Sequence, residues 1–317
     1  MKKTLSLILC FVMVLALFAG CAGGDTKTEK PSVSEAIANK DGVLKILALG
    51  NSFSEDAMQM LYEIAQSEGK EQIVLGNLVI GGCNLTTHAG NTLSNAPAYA
   101  YKKNTDGAWT TKMEVTMLEG ICDEDWDVIT LQQSSDGSGK VGTYNHDIQL
   151  IVNYVNEHKT NPDGIMLWHM TWAYPTPEAP EPYKYFVDQA AMYAGITGAV
   201  QEKIVTDAAF TGVLPSGTAI QNARSSYLGD TLNRDGSHLN DLGRVIAGYT
   251  WYCMLTGKTL DTIGLNAVPE KLTKSYEEGG DMVLTEGEKL VIAEAVKNAI
   301  ANPYAVTQSQ YTEDPGK

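Results

Sequence analysis

From residue 43 onward, apolar positions follow two alternating rhythms. Residues 43–49 form a short β-rich apolar run ended by Gly50, and 54–67 then repeat apolar residues at Met58, Leu61, Ile64 and Ala65, a helical spacing closed by Gly69. This predicts strand, turn and helix. Further strands are expected over 72–80, stopped by Gly81 and Gly82, and over 127–131, stopped by the polar stretch 132–139. Two more are expected over 164–171 and 209–214, with helical periodicity over 146–158 and 183–203. The last third adds a helix over 240–255, with Leu242, Val245, Ile246, Tyr249 and Tyr252 on its inner face, and a helix opening at Thr285, where Thr285 and Glu288 form a capping-box pattern. Residues 88–111, rich in Asn, Thr, Ala and Tyr, read as surface loops or a short helix beside the sheet ends.

Strands alternating with helices imply parallel strands, right-handed crossovers and helices on both faces, in three α/β/α layers. A ligand site then belongs at the carboxyl ends of the strands. At 44% hydrophobic and 19% charged, the 317 residues suffice for one sizeable core, placed here at 43–302 with a polar, frayed tail at 303–317.

The amino terminus reads differently. Lys2 and Lys3 precede an apolar run over 5–18 that is too short to span a bilayer comfortably, followed by Ala19, Gly20 and Cys21. This is the layout of a secretory signal over 1–20, and small residues before a cysteine resemble a bacterial lipobox. Cys21 is thus the expected lipidation site, and residues 21–42 the expected flexible tether. These features predict a chain exported and held by lipid on the outer face of the bacterial cytoplasmic membrane or another envelope membrane. Cys83, Cys122 and Cys253 remain as an odd, scattered set that makes no disulfide framework.

Charge narrows the partners. With 23 basic against 38 acidic residues, a net charge of -15 and no basic run interleaved with aromatics, nucleic acid is not an expected ligand. His88, His146, His158 and His169 lack the spacing and the Cys or Asp company of a zinc site, so no metal or other cofactor is implied.

Three short motifs fall where such a sheet places its site: Gly50-Asn51-Ser52-Phe53-Ser54, Gly81-Gly82-Cys83-Asn84 and Asp235-Gly236-Ser237-His238. Gly50 lets the chain turn out of the first strand, leaving the Ser52 hydroxyl exposed and its N–H at a helix start. Asp235 and His238 are close enough in sequence for the carboxylate to bind one ring nitrogen while the other faces Ser52. The same residues also suit a helix-capping serine and an ordinary Asp-Gly turn. Trp172 and Tyr174 run off the fourth strand toward the cleft, where a ring can stack on a sugar, whereas Trp168 suits the core.

The order Gly-x-Ser after the first strand, glycine after the second and Asp-x-x-His before a late helix resembles the SGNH, or GDSL-like, hydrolase superfamily, in particular exported bacterial proteins of that type. The resemblance spans about residues 43–255. It implies an α/β fold with a flavodoxin-like parallel sheet, a triad of Ser52, Asp235 and His238, and an oxyanion hole from the N–H groups of Ser52 and Gly82. The family's aspartate in the first block is Asn51 here. Its third-block asparagine is replaced within Leu131-Gln132-Gln133-Ser134-Ser135, where Gln133 is the preferred amide donor and Gln132 the alternative. Asn51, Asn84 and Gln132 are expected on the substrate side. The α/β-hydrolase fold shares the order Ser, Asp, His, but it places several strands before its nucleophile.

The activity so implied is serine ester hydrolysis without a cofactor, on acylated carbohydrate or a small ester, with removal of short acyl groups such as acetyl expected. Two alternatives stay open: an O-acyltransferase using the same triad, and a glycan- or solute-binding lipoprotein that retains the fold without catalysis.

Overall fold

The computed structural model describes residues 32–38, 41–68, 72–176, 186–260, 272–273 and 281–317. The leader, Cys21 and most of the expected tether lie outside them.

Seven strands form one mixed sheet: β1 (Val43–Gly50), β2 (Gln72–Val79), β3 (Tyr99–Asn104), β4 (Trp109–Val115), β5 (Val128–Leu131), β6 (Ile165–His169) and β7 (Gly212–Leu214). Their order is β4-β3-β2-β1-β5-β6-β7. β2, β1, β5, β6 and β7 pair in parallel, whereas β3 pairs antiparallel with both β2 and β4. Counted alone, the five parallel strands take the flavodoxin-like order 2-1-3-4-5, whose switch point lies between β1 and β5.

Ten helices are described: α1 (Val33–Ala36), α2 (Ser52–Met58), α3 (Leu61–Glu68), α4 (Leu85–Ser94), α5 (Met117–Ile121), α6 (Asp147–His158), α7 (Gln189–Lys203), α8 (Ser216–Arg224), α9 (Asp241–Thr256) and α10 (Glu286–Ala301). Two cores flank the sheet because successive strand residues face opposite ways. Ile46 and Ala48 of β1 pack with α2, α3, α8, α9 and α10, and Leu47 and Leu49 pack with α4, α5, α6 and α7.

Four expectations are corrected. Residues 88–111 do hold a short helix, most of α4, but the rest is not loop: it forms the start of an edge hairpin, turned at Asp106-Gly107 with Gly107 at φ 100°. The single helix expected over 54–67 is two helices, broken at Gln59 and Met60. Part of the expected tether is ordered, since α1 is closed by a Ser32–Glu35 capping box and buries Val33 in the core. The tail is held as well: Thr307 N–H donates to Asn222 Oδ1 at 2.8 Å, Ser309 N–H to Ser225 Oγ at 2.9 Å and Tyr227 N–H to the Tyr311 carbonyl at 2.8 Å.

Candidate active site

β1 ends at Gly50, and a Cβ there would stand 2.3 Å from Ser54 Oγ and 2.8 Å from Ser54 Cβ, so only glycine allows α2 to begin so sharply. Asn51 caps α2, its Oδ1 accepting the Phe53 N–H at 2.9 Å. Ser52 is thereby the first residue of α2, with a backbone N–H that donates to no other described residue.

The candidate base, His238, arrives on the loop before α9. A bridge between Asn233 and Leu239 and a bond from Arg234 N–H to the His238 carbonyl at 3.0 Å close this loop around the Asp235 carboxylate. Asp235 Oδ1 accepts the N–H groups of Ser237 at 2.8 Å and His238 at 2.7 Å, while Oδ2 lies 2.9 Å from His238 Nδ1. His238 Nε2 is 2.8 Å from Ser52 Oγ. A charged Asp235 only accepts, so His238 carries its proton on Nδ1 and presents a lone pair to the serine hydroxyl. Partial burial pushes the Asp235 carboxyl up, but the two backbone N–H bonds and the imidazole together outweigh it and bring it down to about 2.

The second motif leans against the first. Asn51 Nδ2 donates to the Cys83 carbonyl at 3.0 Å, and Gly82 turns the loop with φ 63°. Gly82 is exposed, and its N–H donates to no other described residue. Burial pushes the neighbouring Cys83 thiol up to about 12, so it stays protonated and inert.

The expected amide donor is placed elsewhere. Gln133 is buried, its Nε2 donating to the Thr143 carbonyl at 3.1 Å and its Oε1 accepting the N–H groups of Leu85 at 3.1 Å and Ser134 at 2.8 Å. It clamps the second motif and faces no cleft. Gln132 is also buried, donating to Asn51 Oδ1 at 2.8 Å through Nε2. Asn51, expected on the substrate side, is 2% exposed and serves the loop instead. Asn84 is exposed and caps α4, with Oδ1 taken by the N–H and hydroxyl of Thr87 at 2.9 and 3.0 Å.

The aromatic expectations divide. Trp172 is fully buried, stacked on Phe53 with its Nε1 donating to the Ser237 carbonyl at 2.9 Å, and so presents no face to a sugar. Tyr174 is half-buried with its hydroxyl 2.8 Å from Ser135 Oγ. Phe53 also meets the His238 ring edge-on at 5.7 Å.

One chain of side chains was not legible beforehand. Gln132 Oε1 lies 2.8 Å from His169 Nδ1, His169 Nε2 3.1 Å from Ser216 Oγ, and Trp251 Nε1 donates to Ser216 Oγ at 3.2 Å. Indole only donates and an amide oxygen only accepts, so the whole chain runs one way, from Trp251 through Ser216, His169 and Gln132 to Asn51. Complete burial brings His169 down to about 3 and keeps it neutral. Among the described residues no group of three or more His, Cys, Asp or Glu is placed to hold a metal ion.

A serine after β1 and a histidine and an aspartate before α9 thus stand in hydrogen-bonded series, an arrangement in which the imidazole can accept the serine proton. The chain belongs to the family described as a domain of unknown function, DUF4886, whose model matches residues 45–277. It is similar to the crystal structure of a DUF4886 family protein from Bacteroides uniformis, at 37% identity over 84% of this chain and 98% of that one, with a TM-score of 0.74. Fainter likeness extends to an acetylxylan esterase from Geobacillus stearothermophilus, at 10% identity over 71% of this chain and 96% of that one, with a TM-score of 0.43. A family 3 carbohydrate esterase from Clostridium thermocellum is 16% identical over 70% of this chain and 97% of that one, with a TM-score of 0.39. Likeness this faint carries no argument about activity. No curated protein matches the sequence.

Proposed function

We propose that the chain is a serine ester hydrolase that removes short acyl groups from carbohydrate outside the cell, anchored there through lipid on Cys21. The observation that carries the reading is the series Ser52 Oγ, His238 Nε2, His238 Nδ1, Asp235 Oδ2, with contacts of 2.8 and 2.9 Å.

In the reaction, Ser52 Oγ attacks the ester carbon while its proton passes to His238 Nε2, and the carbonyl electron pair moves onto oxygen. Asp235 stabilises the imidazolium without taking its proton. The oxyanion accepts from the N–H groups of Ser52 and Gly82, neither of which donates elsewhere among the described residues. With both glutamine amides engaged inside the protein, this reading assigns the side-chain donor to Asn84, exposed two residues after Gly82. Collapse expels the sugar oxygen, which leaves with the proton from His238 Nε2. Water then follows the same proton path, releasing the acid and restoring Ser52.

The preference for carbohydrate is supported by the loops that carry the motifs: Gly81, Gly82, Asn84, Asp235 and Gly236 are exposed, and all are small or polar. Such a rim suits a hydrated sugar ester. The test is hydrolysis of an aryl acetate and of acetylated oligosaccharides by the chain starting at Ser32, which retains α1, with Ser52→Ala in parallel. Loss of at least about 1,000-fold in Ser52→Ala is expected. Folded wild type that turns over no ester, yet binds glycan equally with and without the Ser52 hydroxyl, would leave a binding protein.

A further inference from the structure

The chemistry above makes no use of the charge cluster around the buried Asp56. Asp56 lies one helical turn beyond Ser52 on α2 and is 1% exposed. Its Oδ1 accepts from Arg234 Nη1 and from Arg244 Nε, each at 2.9 Å, and its Oδ2 accepts the Leu239 backbone N–H at 2.8 Å. Arg244, on α9, is held in turn by Asp241 at 3.1 Å.

The position of these partners is what matters. Arg234 immediately precedes Asp235, and Leu239 immediately follows His238. One carboxylate thus grips the base loop at both of its ends, from the same helix that begins with the nucleophile. Arg234 Nη1 also donates to the Leu239 carbonyl, tying the two ends to each other. Between these ends the loop is polar and partly exposed, with the side chains of Asp235 and His238 49% and 28% accessible, and its apolar contacts are Leu239, buried in the core at one end, and the Phe53 ring against His238. Charge-assisted bonds to a carboxylate that is itself buried are strong and directional enough to hold the loop, although Arg234 keeps part of its side chain in water. A buried ion pair serving stability alone is readily replaced by apolar packing and has no reason to meet the base loop on both sides.

We propose that Asp56 is a positioning residue, which sets the Ser52–His238 separation by locking loop 234–239 onto α2. The inference rests on the serine-hydrolase reading. It also identifies Arg234 as the loop-side half of the lock.

Displacing a reacting group by about 1 Å costs on the order of 100-fold in rate. Asp56→Asn retains the side-chain shape and loses the charge and one strong acceptor. Its kcat is expected to fall about 10- to 100-fold with KM within about twofold. Acylation and deacylation should slow together, because both pass a proton through His238.

A second readout needs no turnover: the downfield proton resonance of His238 Nδ1–H, bonded to Asp235, should be sharp in the wild type and broadened or absent in Asp56→Asn. A folded Asp56→Asn with wild-type kcat and an unchanged resonance would overturn the proposal and leave the cluster a stabilising ion pair. If Asp56→Asn does not fold, Arg234→Met asks the same question with the Asp56–Arg244 contact intact. That variant should lose about 3- to 30-fold in kcat, partly restored in Arg234→Lys, and unchanged kcat in it would also overturn the proposal. If the wild type turns over no ester, the hydrolase reading fails by itself, while the resonance still decides whether Asp56 positions the loop.

Discussion

Phe53 and Trp172 lie face to face, with ring centroids 4.3 Å apart and planes 6° from parallel. Phe53, the residue after Ser52, is thereby packed against an indole whose N–H reaches the Ser237 carbonyl, one residue before His238. Trp172→Phe retains the stack and removes that bond. It should cost about 1 kcal/mol in urea unfolding. Ester turnover should drop a few-fold, since the loop loses a tether and no reacting group. Trp172→Ala, which empties a buried aromatic site, should cost about 3–5 kcal/mol.

Asn84 caps α4, and in the proposed reaction it also offers its amide to the oxyanion. Serine is about as good a helix cap as asparagine. Asn84→Ser should therefore unfold at the same urea concentration as the wild type while losing about 100- to 1,000-fold in kcat with KM little changed. Unaltered kcat in Asn84→Ser would restrict the residue to its cap.

His169 ties stability to pH. Burial holds it down to about 3 in the folded protein, against 6.5 for an exposed imidazole. Between these values the unfolded chain binds a proton that the folded one does not, so stability falls as pH drops below 6.5. The slope from this one group approaches about 1.4 kcal/mol per pH unit. His88, brought down to about 4 by complete burial, adds to it between 6.5 and 4. Urea unfolding of His169→Leu from pH 7.5 to 4.5 should show a shallower slope. That variant should also be less stable at pH 7.5 by about 1–3 kcal/mol for each partner left unpaired, Gln132 Oε1 and the Ser216 hydroxyl.

Asp235 acts in the opposite range. Its carboxyl falls from 3.8 to about 2 in the folded protein, so the stability it contributes is complete above pH 3.8 and disappears as pH falls through about 2. The difference in thermal midpoint between wild type and Asp235→Asn should be flat above pH 4 and close to zero near pH 2. Turnover by Asp235→Asn at pH 7 should fall by about 10,000-fold, because an amide at that position favours the wrong imidazole tautomer.

The parallel part of the fold was legible because its strands are nearly unbroken apolar runs ended by glycine or polar stretches, and their observed limits lie within a few residues of the expected ones. β3 and β4 were not, for a physical reason. An edge hairpin buries little, and β4 is exposed at every position from Thr110 to Glu114, so no apolar rhythm marks it. Its readable signal was the turn, Asp106-Gly107, preceded by alternating burial at Tyr99 and Tyr101. In the site, Ser52, Asp235 and His238 came from spacing within short motifs. The roles of Gln132 and Gln133 did not, because adjacent residues at a strand end face opposite ways and only the packed structure shows which partners each one meets. Asp56 carried a faint signal, a carboxylate beside Phe53, Ala57 and Met58 on the buried face of α2.

Ser52 and His238, hydrogen-bonded in the structure, are separated by 186 positions, and the Asp56–Leu239 contact beside them by 183. A chain still being synthesised carries Ser52 at the end of an early strand with no base to activate it, and its late segment carries His238 with nothing to deprotonate. Contacts of such long range form last, after local helices and hairpins. On the proposed mechanism, reactivity at Ser52 would be a clock for completion: a serine-directed probe added during refolding should label only molecules whose final third has docked, and its labelling rate should track that docking and not the earlier appearance of helix.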